Sequence, residues 1–164
     1  MVFQSKITVY VAVVGLFAMM GGLFYYGSLD NIPLEKVEIK LTNVELRDVS
    51  SIDNQARFDV TFLIKNPSDK TFTVSQIEYQ LYDDEILLGS GLYSTTDITL
   101  PGRAAFFPGT EIPLKNIFVL NESEVDSEIY QAAIQNKIDS FSAKGIITVQ
   151  SSWITVEKEF KTGF

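Results

Sequence analysis

The chain has 164 residues, 46% of them hydrophobic and 21% charged, with a net charge of −8. That composition excludes a disordered chain and leaves room for one domain plus an appendage. The acidic balance argues against nucleic-acid binding, and the absence of Cys and His removes thiol nucleophiles, His-based general catalysis and most zinc or copper sites.

From Ile7 to Tyr26 no residue is charged, a run of 20 positions. About 20 apolar residues are what a helix needs to cross a bilayer. A cleaved signal peptide would have a shorter apolar core and a small-x-small cleavage site, whereas this run ends in the bulky "LFYYGS". A buried core helix seldom lacks every charge over five turns. Residues 1–27 therefore read as an uncleaved signal anchor. Lys6 marks the cytoplasmic side, Tyr25 and Tyr26 suit the outer interface, and the rest of the chain is extracytoplasmic. With Lys6 the one charge in this segment, everything beyond it carries a net −9. Gly15, Ala18 and Gly22 are small residues one helical turn apart, the spacing that lets a second helix approach closely. General enrichment of Gly in membrane helices is the plainer explanation. Membrane lipid is the expected partner, with helices of a membrane protein complex as a further one.

Residues 28–36 read as a linker, and residues 37–164 as one domain of period-two segments. "VEIKLTNVEL" places Val37, Ile39 and Leu41 on one face, and "RFDVTFLIKN" does the same with Phe58, Val60, Phe62 and Ile64. "SQIEYQLY" repeats the pattern with Ile77, Tyr79 and Leu81, and Asp83-Asp84 turns the chain into "EILLGSG". "TDITL" ends at Pro101-Gly102. In "TEIPLKNIFVL", Pro113 predicts an edge strand or a bulge. From Asn121, "NESEVDSEIYQAAIQNK" has apolar residues at helical spacing (Val125, Ile129, Ala132, Ala133), and Asn121 with Glu124 fits a capping box. Two strands follow, "FSAKGIITVQ" and "WITVEKEFK". Strands, one helix, then strands predict a mainly β (α+β) fold: an immunoglobulin-like antiparallel β-sandwich with one helix packed on it.

The stretch "FDVTFLIKNPSDKTFTVSQIEYQLYDDEILLGSG" resembles the late embryogenesis abundant group 2 family, also called the water stress and hypersensitive response (WHy) domain. The resemblance rests on Asn66-Pro67 after a strand, then Ile77, Tyr79 and Leu81, then Gly89 and Gly91. It covers about Val37 to Gly163 and departs at Asp84, where relatives often have Gly. It implies two antiparallel sheets with one helix and a role in stress protection or cell-envelope defence. It also implies no enzymatic activity and no catalytic residues to carry over. A single span before the domain occurs among relatives, and a Cys-free version of this kind points to an archaeal source.

The residues agree on the absence of chemistry. Asp83-Asp84-Glu85 offers oxygen ligands that suit calcium but lacks a calcium-loop spacing, so it reads as a solvated hairpin tip. The same reading applies to Asp48 and Asp53, and Lys144 and Lys158 read as surface charges on strands. No catalytic group, metal, cofactor or small-molecule substrate is expected. Asn121-Glu122-Ser123 is an N-glycosylation acceptor sequence if it faces outward, competing with the helix-cap reading. Stress protection at the membrane is thus the first functional expectation, and an accessory subunit of a membrane complex the second. A grip on a surface layer through sheet edges ranks last, since Pro113 and the charges of Lys158-Glu159 look like edge protection.

Overall fold

The computed structural model describes residues 6–28, 34–96, 103–138, 140–151 and 154–164. Helix α1 (Lys6–Ser28) is followed by β1 (Glu38–Ser50), β2 (Gln55–Lys65), β3 (Phe72–Asp83), β4 (Ile86–Ser94), β5 (Ala105–Phe106) and β6 (Glu111–Asn121). A 3₁₀ turn (Glu122–Glu124), helix α2 (Ser127–Ile134), β7 (Phe141–Gln150) and β8 (Thr155–Gly163) complete the order. One sheet runs β1-β2-β6 and the other β4-β3-β7-β8, with β5 continuing the β4 edge of β3. Every pairing is antiparallel. The expected sandwich with one helix beside it is the observed one.

Central strand β2 shows the sequence logic most directly. Phe58, Val60, Phe62 and Ile64 are all buried, as their alternation requires. Strand β1 keeps its apolar residues inward by a different device. Leu41 and Val44 are three apart, so strict alternation would turn Val44 outward. The register shifts between Leu41 and Asn43, and the extra residue brings Val44 and then Leu46 back to the core side. The same correction operates in β3, where a shift at Val74/Gln76 lets both Val74 and Ile77 point inward. Pro113 lies in β6, which is an edge strand, as its missing N–H demands.

The helix begins later than expected. Asn121 still pairs with Gln55 as the last residue of β6, so the sheet holds it extended. Val125 is extended as well, and Asp126 is the residue that precedes α2. The expected capping box is therefore corrected: Asn121 Nδ2 donates to Glu124 Oε1 at 2.8 Å, and its side chain caps no helix. Within the amphipathic segment, Tyr130 and Ala133 are the residues that reach the core. The expected "TDITL" strand and its Pro101-Gly102 turn span residues 96–102, and all but Thr96 lie outside the described residues.

Candidate functional site

Helix α1 is 23 residues long, or about 35 Å at 1.5 Å per residue. By length and composition its segment Lys6–Gly27 can cross a membrane. Every described side chain on it is exposed. A side chain added at Gly15 or Gly22 would meet nothing within 4 Å. Gly15, Ala18 and Gly22 thus form an open stripe that no described part of the sandwich covers. An apolar helix exposed on all sides is what hydrocarbon solvates and water does not.

The sandwich has two distinct poles. At the pole where α1 enters, Glu38 of β1 pairs with Lys65, and Lys65 pairs with Glu111. Lys158 Nζ donates to the Val37 carbonyl at 2.6 Å, tying the start of β1 to β8. The expectation of a plain surface charge at Lys158 is therefore too simple. Lys144 lies 4.5 Å from the centre of the Tyr82 ring, a cation–π contact on the outer face of its sheet.

Asn66 organises this near pole. The residue is fully buried, and all of its polar atoms are used. Nδ2 donates at 2.8 Å to the carbonyls of both Lys70 and Phe106. Oδ1 accepts from the Ser68 N–H at 3.0 Å and the Ser68 hydroxyl at 2.7 Å. Its backbone N–H donates to the Thr110 carbonyl at 3.0 Å, and its carbonyl accepts from the Gly109 N–H at 2.8 Å. In the sequence Asn66-Pro67 marks only the end of a strand. Nothing there shows that the Asn66 amide clamps the β5–β6 connection, 40 residues away.

The Tyr79 and Gly91 pair of the fingerprint has a packing reason. Tyr79 lies opposite Gly91 on β4 and opposite Gly145 on β7. A Cβ at Gly91 would fall 2.3 Å from the Tyr79 ring, and one at Gly145 would fall 1.9 Å from the Glu78 carbonyl oxygen. Both positions exclude a side chain. The Tyr79 ring meets Phe62 edge-on at 4.9 Å, and its hydroxyl accepts from Asn116 Nδ2 of the other sheet at 3.0 Å. Burial pushes its pKa up to about 12, against the lowering effect of the Asn116 hydrogen bond.

The far pole carries the β1–β2 tip, the β3–β4 turn and the β6–α2 connection. Acids crowd it: Asp53, then Asp83, Asp84 and Glu85, then Glu122, Glu124, Asp126 and Glu128. Asp84 adopts a left-handed φ of 49° where the resembled family favours Gly. The Ser140 hydroxyl donates to its carboxylate, so the acid is tied into the turn. Among the described residues no group of three or more His, Cys, Asp or Glu could hold a metal ion. Asn121 also lies at this pole, half-exposed beside a notch shared with Asp53 and Ser123.

A shallow groove of about 920 Å³ runs across the outer face of β4-β3-β7-β8, between Leu92, Glu78, Ile146 and Glu159. Its lining is mixed in charge, with Glu78 and Glu159 beside Lys144 and Lys161.

No protein-family model and no curated protein sequence matches the chain. Solved structures do resemble it. A solution structure from Arabidopsis thaliana aligns at a TM-score of 0.56 with 12% identity, covering 77% of this chain and 78% of that one. A solution structure described as a late embryogenesis abundant (LEA) protein aligns at 0.40 with 14% identity, covering 96% of this chain and 86% of that one. A crystal structure of a protein from Archaeoglobus fulgidus aligns at 0.40 with 15% identity, covering 79% and 94%. At 12% identity the first likeness speaks for a shared fold alone.

Proposed function

We propose that the protein is a membrane-anchored, non-enzymatic β-sandwich of the late embryogenesis abundant group 2 kind, displayed outside the cytoplasm and acting in stress protection or at the cell envelope. The observation that carries this reading is α1, which carries no charge from Ile7 to Tyr26 and is exposed along that whole run. The fingerprint residues give it support, because Asn66, Tyr79 and Gly91 serve the scaffold rather than a reaction. The acidic far pole supports it too, since a strongly charged, hydrated surface resists association when water is withdrawn. In this setting Asn121, half-exposed at the pole away from the span, is a reachable N-glycosylation acceptor.

The test uses vesicles carrying the full-length protein and vesicles carrying an unrelated single-span protein at equal mass. After freezing or drying, leakage of a trapped dye should be lower in the first set. Equal leakage contradicts a protective role.

A second reading is an accessory subunit of a membrane complex. The open Gly15, Ala18 and Gly22 stripe favours it, because small residues let a partner helix pack closely. Gentle solubilisation from the native membrane distinguishes the two. A lone monomer in detergent counts against the subunit, and a stable larger assembly lost on Gly22→Leu supports it.

A further inference from the structure

Among the described residues, the near pole presents one large apolar side chain to solvent. Phe107 is 58% exposed, in a turn with exposed Pro108 and Gly109 at its tip. Its neighbour Phe106 is fully buried and stacks on Phe72 at 5.2 Å, so the chain is fixed immediately before the exposed ring. The turn is closed by the Thr110 N–H and hydroxyl, which donate to the Phe107 carbonyl at 3.0 and 2.8 Å. Both of its far-side backbone groups, at Gly109 and Thr110, are bonded to buried Asn66. A Phe held in water by such a rigid frame gains nothing for the fold, because the core is already filled by Phe106.

Three features place a lipid surface opposite this ring. First, the six-residue step from Ser28 to Leu34 spans at most about 20 Å even when fully extended. A chain anchored by α1 therefore keeps its near pole at the bilayer surface. Second, acids crowd the far pole, while at the near pole Glu35, Glu38, Asp69 and Glu111 are matched by Lys36, Lys65, Lys70 and Arg103. A negatively charged membrane surface repels the former pole and not the latter. Third, tethering makes the contact intramolecular, so one aromatic side chain suffices where a free domain would need several.

We propose that the Phe107-Pro108-Gly109 tip is a second membrane contact. Phe107 inserts at the headgroup level of the bilayer that α1 crosses, and Asn66 holds the turn that aims it. The sandwich then stands with its acidic pole outward rather than swinging freely on its linker. The inference rests on the anchored reading proposed above.

The chain contains no cysteine, so single-cysteine variants of the full-length protein take one polarity-sensitive fluorophore each. Phe107→Cys, Ile52→Cys and Ala18→Cys are reconstituted into phosphatidylcholine–phosphatidylglycerol vesicles containing nitroxide lipids. Ile52 is 94% exposed at the far pole and serves as the water-facing reference. The label at 107 should show blue-shifted emission and roughly threefold stronger quenching by a shallow nitroxide than the label at 52. The label at 18 should be quenched by a deep nitroxide. Quenching at 18 with 107 indistinguishable from 52 overturns the contact and leaves the anchor standing. Loss of quenching at 18 as well overturns both. A near-quantitative cross-link from position 107 to a protein in native membranes also overturns the lipid assignment. Because Phe107 is exposed, its replacement leaves the core intact, and an unchanged melting curve verifies this for each variant.

Discussion

Asn66-Pro67 and Asp83-Asp84 each mark the end of a strand with a two-residue turn signal, and in the sequence they look alike. In the structure they are opposites. Asn66 is fully buried and hydrogen-bonded at every polar atom, and it joins loops that lie far apart in the chain. Asp84 sits in an exposed two-residue turn with a left-handed backbone and one side-chain bond to Ser140. The difference teaches that a polar turn residue becomes structural when its partners are distant main-chain groups with no access to water. Such groups have no replacement partner once the side chain is gone. The same contrast separates the two poles, one built around a buried amide and the other around solvated carboxylates.

That contrast can be broken at four positions. Asn66→Ala should have the largest effect, about 3 kcal/mol of lost stability, because several buried groups lose their partners together. Urea unfolding of the detergent-solubilised protein, followed by circular dichroism, measures it. A loss no greater than that of an exposed-turn variant would erase the distinction between the two turns. Gly91→Ala follows at about 2 kcal/mol, since the new methyl overlaps the Tyr79 ring and the strands must shift.

Tyr79→Phe should cost about 1 kcal/mol through the lost hydrogen bond with Asn116. It also has a pH signature. The Tyr79 phenol ionises at its ordinary value of 10.0 when unfolded and at about 12 when folded. Its contribution is intact below pH 10 and is lost as pH rises through 12. The Phe variant should accordingly lose stability less steeply between those two values than the parent chain does. Asp84→Gly should have the smallest effect, within about 0.5 kcal/mol. Relief of the left-handed backbone at this residue offsets the lost bond to Ser140.

Much of the fold was legible because alternation is a local signal. Phe58 to Ile64 gives β2 without any knowledge of its neighbours, and Pro113 gives an edge position because a missing N–H has only a few acceptable places. What the sequence hid depends on pairing between distant segments. The bulge that turns Val44 inward appears only against β2, and the delayed start of α2 appears only once Asn121 is seen paired with Gln55. Gly91 and Gly145 look like turn or flexibility residues until Tyr79 is placed between them. Of the site residues, Gly15, Ala18 and Gly22 fall on one helix surface as their spacing dictates. Asn121 kept its acceptor sequence and lost its cap. The exposed ring of Phe107 had no sequence signal, since "AFF" gives no sign of which Phe is buried.

Placement of the sandwich outside the cytoplasm, on a span that stays in the bilayer, is tested most directly by labelling Ile52→Cys in intact cells that express the full chain. The reagent is a membrane-impermeant maleimide, and Ile52 lies at the exposed tip of the far pole. An anchored, outward-facing sandwich requires labelling without permeabilisation, with the labelled protein retained in the membrane pellet after alkaline carbonate washing. Labelling only after permeabilisation, or release of the protein by carbonate, would contradict it.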